Sequence, residues 1–312
     1  MKKLNSILLI LFVFTASIQA QVQNLPKLPK GLNFIVANDM GRQGYYEQKP
    51  IAKIMGEVAE QNSIEFVVLA GDSHHYMGVA SVSDPRWMTN FELIYDNPEL
   101  QIPWNVILGN HEYKGNTQAV LDYTHISRRW NAPARYYSIE MKIGKGDDKC
   151  LFVYIDTSPL IDKYREEKDE YPDACRQDIN EQLKWMESTL SKSDARWKFV
   201  IGHHPVYADT GKDISERSDM QRRVGRILEN NAVDFYICGH IHNFQYIKPQ
   251  GKKVNYIVNS AAALSRSVKP VEGTIFCSGD PGFSVFTVSD NAVDFYFINH
   301  KGETIYTNKI TK

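Results

Sequence analysis

Cysteine is scarce in this chain: four residues in 312 (Cys150, Cys175, Cys238 and Cys277), none of them in a Cys-x-x-Cys pair. That excludes a zinc ribbon or a thioredoxin-type redox motif. The four allow three disulfide pairings without selecting one, and Cys150 and Cys238, inside apolar runs, equally suit buried free thiols. A charge excess is also missing, with 36 Lys and Arg against 37 Asp and Glu. The chain therefore has no basic surface to grip nucleic acid or an anionic membrane. Beyond the first twenty residues no segment is long and apolar enough to cross a bilayer. Neither a Gly-x-Ser-x-Gly elbow nor a phosphate-binding P-loop occurs, so a serine nucleophile or nucleotide-cradling loop has no support.

The start of the chain is a separate matter. Lys2 and Lys3 precede an apolar run, Ile7 to Phe14, and Ser17-Ile18-Gln19-Ala20 closes the stretch. A basic start, a short apolar centre and a small final residue read as a cleaved secretory signal over residues 1–20. The run is too short for a spanning helix. The expectation is a periplasmic or secreted protein without stable membrane insertion, with residues 31–312 as a single domain. Export permits disulfides.

The chain as a whole is 43% hydrophobic and 12% aromatic, enough to build a sizeable core. Strand-like runs at Leu32–Ala37, Ile64–Ala70, Trp104–Leu108, Leu151–Ile155, Trp197–Ile201 and Asp234–Cys238 alternate with helical patterns at Ile51–Gln61, Thr117–Trp130, Gln177–Ser191 and Glu216–Asn230. This predicts an α/β fold with helix-covered sheets. Four strand-like runs follow, Lys253–Val258, Phe283–Val288, Ala292–Asn299 and Thr304–Ile310, and read as a β meander. The charged, aperiodic stretch from Asp162 to Asp173 reads as a long surface loop, either a lid or a solvated excursion. The hexapeptide Asn-Ala-Val-Asp-Phe-Tyr occurs at 231–236 and again at 291–296. Two copies with different flanks make two similar turn-then-strand pieces, not a repeat array.

Seven of the nine histidines fall just after predicted strands, in Gly71-Asp72-Ser73-His74-His75, Gly109-Asn110-His111-Glu112, Gly202-His203-His204-Pro205 and Gly239-His240-Ile241-His242. Asn38-Asp39-Met40-Gly41 follows the first strand in the same way. Strand ends are where open α/β sheets place their sites. A lone Asp or His at such an end is usually a turn residue, but five ends in order are not explained as turns. Carboxylate and imidazole donors without a thiolate suit Fe, Mn, Zn or a pair of such ions. His240 and His242, two apart in an extended segment, point to one face. Two adjacent metals can clamp a phosphoryl group and supply the nucleophile that attacks it. His300 has no partner histidine nearby and reads as a decoy.

These residues, in this order, resemble the calcineurin-like metallophosphoesterases, and most closely the small purple acid phosphatases of the tartrate-resistant type. The likeness runs from about Asn33 nearly to the end and includes Asp84-Pro85-Arg86-Trp87, Ile126 to Asn131 and Asn243 to Tyr246. The resemblance implies a four-layer α/β/β/α sandwich of two mixed sheets flanked by helices. It implies two metal ions (Fe, Zn or Mn) with Asp72 bridging, Asp39 and His242 on the first, and Asn110, His203 and His240 on the second. A hydroxide on the ions would attack phosphorus while His111 acts as general acid toward the leaving group. The substrate would be a small phosphoester or a phosphoprotein, a phosphomonoester first, with a phosphodiester or nucleotide as the alternative. A non-catalytic metal- or phosphate-binding protein on the same fold is the reading of a different class.

Two departures matter. The first motif begins with Asn38 where the family usually has Gly. The purple enzymes also carry a metal-binding tyrosine three residues after the bridging Asp, and here that position is His75. His75 or His74 could ligate instead, or Tyr76 after a one-residue slip; register favours His75, since adjacent residues point apart. A neutral imidazole there predicts a colourless pair of divalent ions and an optimum nearer neutral than acid. Lys212 lies where animal members carry a further substrate-facing His, leaving His204, and with it His74, as substrate-binding candidates.

Overall fold

A computed structural model describes residues 25–144 and 146–312. The secretory-signal reading of residues 1–20 lies outside the described residues. Among those described, no helix is long and apolar enough to cross a membrane.

The chain begins with β1 (Leu32–Ala37), α1 (Gln48–Gln61), β2 (Phe66–Leu69), β3 (Trp104–Val106), α2 (Thr117–Asp122) and β4 (Trp130–Asn131). It continues through β5 (Tyr137–Lys142), β6 (Lys149–Tyr154), α3 (Asp162–Glu166), α4 (Ile179–Lys192), β7 (Trp197–Ile201), α5 (Ile214–Met220) and α6 (Arg226–Asn230). Then come β8 (Phe235–Cys238), β9 (Phe244–Ile247), β10 (Asn255–Val258), β11 (Thr274–Ser278), β12 (Gly282–Val288), β13 (Ala292–Asn299) and β14 (Thr304–Thr311). Two seven-stranded sheets result, in the orders β14-β13-β12-β1-β2-β3-β4 and β11-β9-β10-β8-β7-β6-β5. Both are mixed. β1 runs parallel to β2 and antiparallel to β12, while β7 runs parallel to β6 and β8.

The period-2 alternation of strands explains the layering. Phe34 and Val36 of β1, Phe66 and Val68 of β2, Phe152 of β6, Phe199 of β7 and Phe235 of β8 share one core between the sheets. Their neighbours Ile35, Val67, Leu69, Val153 and Val200 join the core under the helices, with Ile51, Met55 and Val58 of α1. Strands covered on both faces read as unbroken apolar runs, which is why these were easy to find in the sequence. Phe34 stacks on Phe66 and on Phe286, each at 5.1 Å, and meets Phe152 edge-on at 5.3 Å. The aromatic content is therefore spent largely on holding the sheets together.

Four expectations need correcting. The helix expected over Thr117–Trp130 stops at Asp122, and Trp130 starts a short strand. Buried Arg129 takes the carbonyls of Tyr95 and Glu92 and pairs with the Glu92 carboxylate at 2.9 Å, and these tertiary bonds hold the turn against local helical preference. The presumed surface loop after Asp162 contains α3, and its Tyr164 and Tyr171 are buried. The C-terminal strands are not one meander: β10 pairs parallel with β8, while β12, β13 and β14 extend the other sheet from β1. Strands β4, β5, β9 and β11 were missed, being short or edge-facing. The two hexapeptide copies enter β8 and β13, in different sheets. All four cysteines are free thiols.

Candidate metal centre

Side chains from both sheets converge where the parallel strands end. Asp39 follows β1, Asp72 follows β2, and Asn110 and His111 follow β3, all in one sheet; His203 and His204 follow β7, and His240 and His242 follow β8, in the other. Asp39, Asp72, His240 and His242 all sit in the left-handed region, with φ of 51°, 53°, 73° and 60°. Such backbone costs a non-glycine residue energy and persists where the surroundings enforce it. Gly71, at φ +87°, explains the glycine ahead of Asp72: a Cβ there would lie 2.5 Å from the His203 ring.

Asp72 is the hub. Its Oδ2 lies 3.2 Å from His203 Nε2, 3.7 Å from His75 Nε2 and 3.9 Å from His111 Nε2. Asp39 Oδ1 lies 3.2 Å from His242 Nε2 and 3.9 Å from His75 Nε2. The second carboxylate oxygens are held by the backbone: Asp72 Oδ1 accepts from His111 N–H at 2.9 Å, and Asp39 Oδ2 accepts from His240 N–H at 2.8 Å. Asn38, the residue that departs from the family pattern, donates to Asp39 Oδ2 and is tied to Asn259.

Four of the imidazoles have one nitrogen anchored and the other turned to the cluster. Carbonyl oxygens accept from Nδ1 of His203 (Ala70, 2.9 Å), His242 (Leu264, 2.7 Å) and His111 (Tyr76, 2.9 Å). Glu216 accepts from His240 Nε2 at 2.9 Å. This is how metal-binding histidines are oriented, and it leaves a lone pair on the inward nitrogen. The buried polar atoms without a partner include Asp39 Oδ1, both His75 nitrogens, Asn110 Oδ1, His203 Nε2 and His240 Nδ1. Buried polar atoms are normally bonded, so their convergence needs a common partner. The donors group as Asp39–His75–His242, Asp72–His75–His111, Asp39–Asp72–His203 and His203–His204–His240. The residues present fit a pair of cations.

The charges agree with that fit. Burial opposes ionisation of Asp72, but His203, His111 and His75 around it outweigh burial and hold the carboxyl well below its usual range. Asp39 is likewise lowered, with His242 overcoming burial. Burial works against a charged His203, yet Asp72 and Asp39 push it up to about 9. Burial keeps His75 and His240 neutral. In the metal-free protein His203 must therefore shed its proton before it can ligate. Divalent-ion affinity should rise about tenfold per pH unit up to about pH 9 and then level off. Zn²⁺ titrations at pH 6, 7 and 8 check this, and a flat affinity would mean that His203 is already neutral.

The three residues at the tyrosine position separate. His75 points inward. Tyr76 turns out to solvent, its ring 5.0 Å from the Arg42 guanidinium. His74 turns the other way: its ring packs edge-on against Trp87 at 4.4 Å and Nδ1 accepts from Asn90 at 2.9 Å. Burial holds His74 down to about 3. His204 is also fully buried, between Thr157 (2.8 Å) and the Tyr164 hydroxyl (3.3 Å), behind the His240 ring. The structure thus places both substrate-binding candidates away from solvent, His74 in the helix-side core and His204 as backing for His240. His300 stays outside the cluster.

Sequence reasoning left two residues without a role. Glu112 accepts from the backbone N–H groups of Asp72, His74 and Gly109 and from the Ser73 hydroxyl, tying the β2 and β3 loops together. Its place directly after Asn110-His111 was the available signal. Glu216, on α5, orients His240 and accepts from Tyr164. Nothing local in the sequence distinguishes it from a helix-surface carboxylate.

Residues 32–244 match the family model described as calcineurin-like phosphoesterase. The chain is 30% identical over 292 residues to purple acid phosphatase 7 of Arabidopsis thaliana, covering 90% of this chain and 86% of that one. It is 24% identical to human tartrate-resistant acid phosphatase type 5, covering 96% and 98% respectively. Among solved structures it resembles GAP50, the anchor in the inner membrane complex of Plasmodium, with a TM-score of 0.77, 24% identity and coverage of 91% and 89%.

Proposed function

The chain belongs to the calcineurin-like phosphoesterase family and is a metal-dependent phosphatase, and from that premise we propose an exported hydrolase of phosphomonoesters whose residues 31–312 act as one domain. The observation that carries this reading is the set of partnerless buried donors converging on Asp72. Asp39, His242 and His75 would hold one ion, and Asn110, His203 and His240 the other, with Asp72 between them. When bound, such a pair supplies Lewis acidity to the phosphoryl oxygens and a water nucleophile active near neutral pH.

His111 is the proton donor in this reading. Its side chain is 22% exposed, so it faces the side from which substrate arrives. The Tyr76 carbonyl accepts a hydrogen bond from Nδ1–H at 2.9 Å. Charged His111 therefore presents Nε2–H to the leaving oxygen. After transfer it is left as the Nδ1–H tautomer that the carbonyl selects. A fold shared with an anchor protein does not by itself carry turnover; a mere binder has no use for a positioned proton donor.

The test is elemental analysis of the purified protein beside rates on nitrophenyl phosphate and bis-nitrophenyl phosphate. Two ions per chain and faster monoester turnover are expected. A faster diester favours the phosphodiesterase alternative, and two ions without turnover overturn the hydrolase.

The inward imidazole of His75 gives a second expected result. It brings no negative charge, so it favours divalent, borderline ions over Fe(III). The wild-type protein should be colourless, and His75→Tyr should shift iron retention upward with a visible charge-transfer band. A band in the wild type that disappears in Tyr76→Phe would show Tyr76 reaching the iron.

A further inference from the structure

Asn38 is fully buried where the end of β1, in one sheet, meets the end of β10, in the other. Its neighbours fix the orientation of its amide. The nitrogen donates to Asp39 Oδ2 and to the Asn259 carbonyl at 3.2 Å, and the oxygen accepts from Asn259 Nδ2 at 2.6 Å. Turned over, the amide would set its oxygen against a carboxylate and a carbonyl, and its nitrogen against a group that only donates. Ser284 of β12 extends the line by donating to Asn259 Oδ1, so every link points its hydrogens toward Asp39. Gly239 leaves the room for this: a Cβ there would collide with Asn38 Nδ2 and lie 2.5 Å from Asp39 Oδ2.

The consequence falls on Asp39. Its Oδ2 accepts from Asn38 and from the His240 N–H at 2.8 Å, which occupies that oxygen. Its Oδ1 has no hydrogen-bond partner and faces His242 Nε2 at 3.2 Å and His75 Nε2 at 3.9 Å. The carboxylate thus offers one oxygen to an ion and is held from turning the other toward it. The surrounding structure does not need the Asn38 amide for its own hydrogen bonds. Without it, the two hydrogens of Asn259 Nδ2 still have the carbonyls of Val36 at 3.2 Å and Ser260 at 3.1 Å. One oxygen each from Asp39 and the bridging Asp72, beside the imidazoles of His75 and His242, makes four donors, the number and type that suit Zn²⁺. A carboxylate free to use both oxygens would add an oxygen donor, which suits Mn²⁺.

Building on the two-ion reading above, we propose that Asn38 is a positioning residue: it limits Asp39 to one oxygen and so makes the ion site of Asp39, His75 and His242 select Zn²⁺ over Mn²⁺. Glycine, the residue the family usually has at this position, leaves Oδ2 with the His240 N–H alone.

Calorimetric titration of the metal-free chain with Zn²⁺ and, separately, with Mn²⁺ tests this in the wild type, Asn38→Gly and Asn38→Ala. The alanine variant repeats the measurement without glycine's backbone freedom. Hydrogen bonds that orient a metal ligand typically govern ~10–100-fold of metal affinity. In both variants one of the two Zn²⁺ ions should bind about tenfold more weakly, the low end of that range, and the other as in the wild type. Mn²⁺ should lose less at the weakened site, so the Zn²⁺/Mn²⁺ affinity ratio there should fall. An unchanged ratio in either folded variant would overturn the assignment, whether both metals bind as in the wild type or weaken alike, since equal weakening is what a loosened loop gives. The measurement needs no turnover. A ratio that falls in a protein hydrolysing no phosphoester would uphold the role of Asn38 and overturn the phosphatase reading, whereas a wild type that takes up no Zn²⁺ would overturn both.

Discussion

Asp72→Ala and His203→Ala are each expected to lose metal and phosphatase activity together. Asp72 faces His203, His75 and His111 within 3.9 Å and lies at the junction of the two sheets. Removing its carboxylate takes the one anion shared by both halves of the donor set. His203 offers Nε2 with no other partner, its ring fixed by Ala70. Groups that merely orient ligands typically cost ~10–100-fold in metal affinity or activity when removed. Losing a ligand itself should cost more than about 100-fold. Metal content by elemental analysis and turnover of nitrophenyl phosphate should fall in parallel. Full occupancy with normal turnover in either variant would remove that residue from the ligand set. Circular dichroism guards against mistaking unfolding for metal loss.

For His111→Ala the expected result is different: both ions retained and most of the rate gone. His111 Nε2 is 3.9 Å from Asp72 and its ring is the part-exposed member of the cluster, so the buried donors survive its removal. Losing a general acid costs typically ~10²–10⁴-fold. The loss should be smaller for a nitrophenyl ester, whose leaving group departs without a proton, than for an alkyl phosphate. Equal losses on both substrates would assign His111 a role other than proton donation. Loss of metal alongside rate would make it a ligand.

Much of this was legible beforehand for identifiable reasons. β1, β2, β7 and β8 are buried on both faces, so their apolar runs were unmistakable, and a glycine followed by Asp, Asn or His after β2, β3, β7 and β8 marked most of the donors. The short helix from Asp162 was not legible, because its charge leaves no apolar periodicity. The edge strand β5 does alternate, Tyr137, Ile139 and Met141 against Ser138, Glu140 and Lys142, a signal the reading of longer apolar runs passed over. The end of α2 was hidden too, since it depends on Arg129 reaching carbonyls some thirty residues away.

The sequence by itself determined which chemistry is available: carboxylates, an amide and imidazoles on successive strand ends, no thiolate, and a histidine where a phenolate would stand. Local pattern suffices for that, because a strand's periodicity and a glycine's freedom belong to the nearest few residues. Only the tertiary structure decided that His75 faces the donors while His74 lies against Trp87 and Tyr76 meets Arg42. It also decided that His204 backs His240 and that Glu216 and Glu112 orient the ligands. Those outcomes depend on two sheets packing face to face, so that strand ends of both lie side by side. Which of three adjacent side chains points at Asp39 and His242 is fixed by the packing of β1 against β2 in one sheet and β7 against β8 in the other, a juxtaposition that no local stretch of chain encodes.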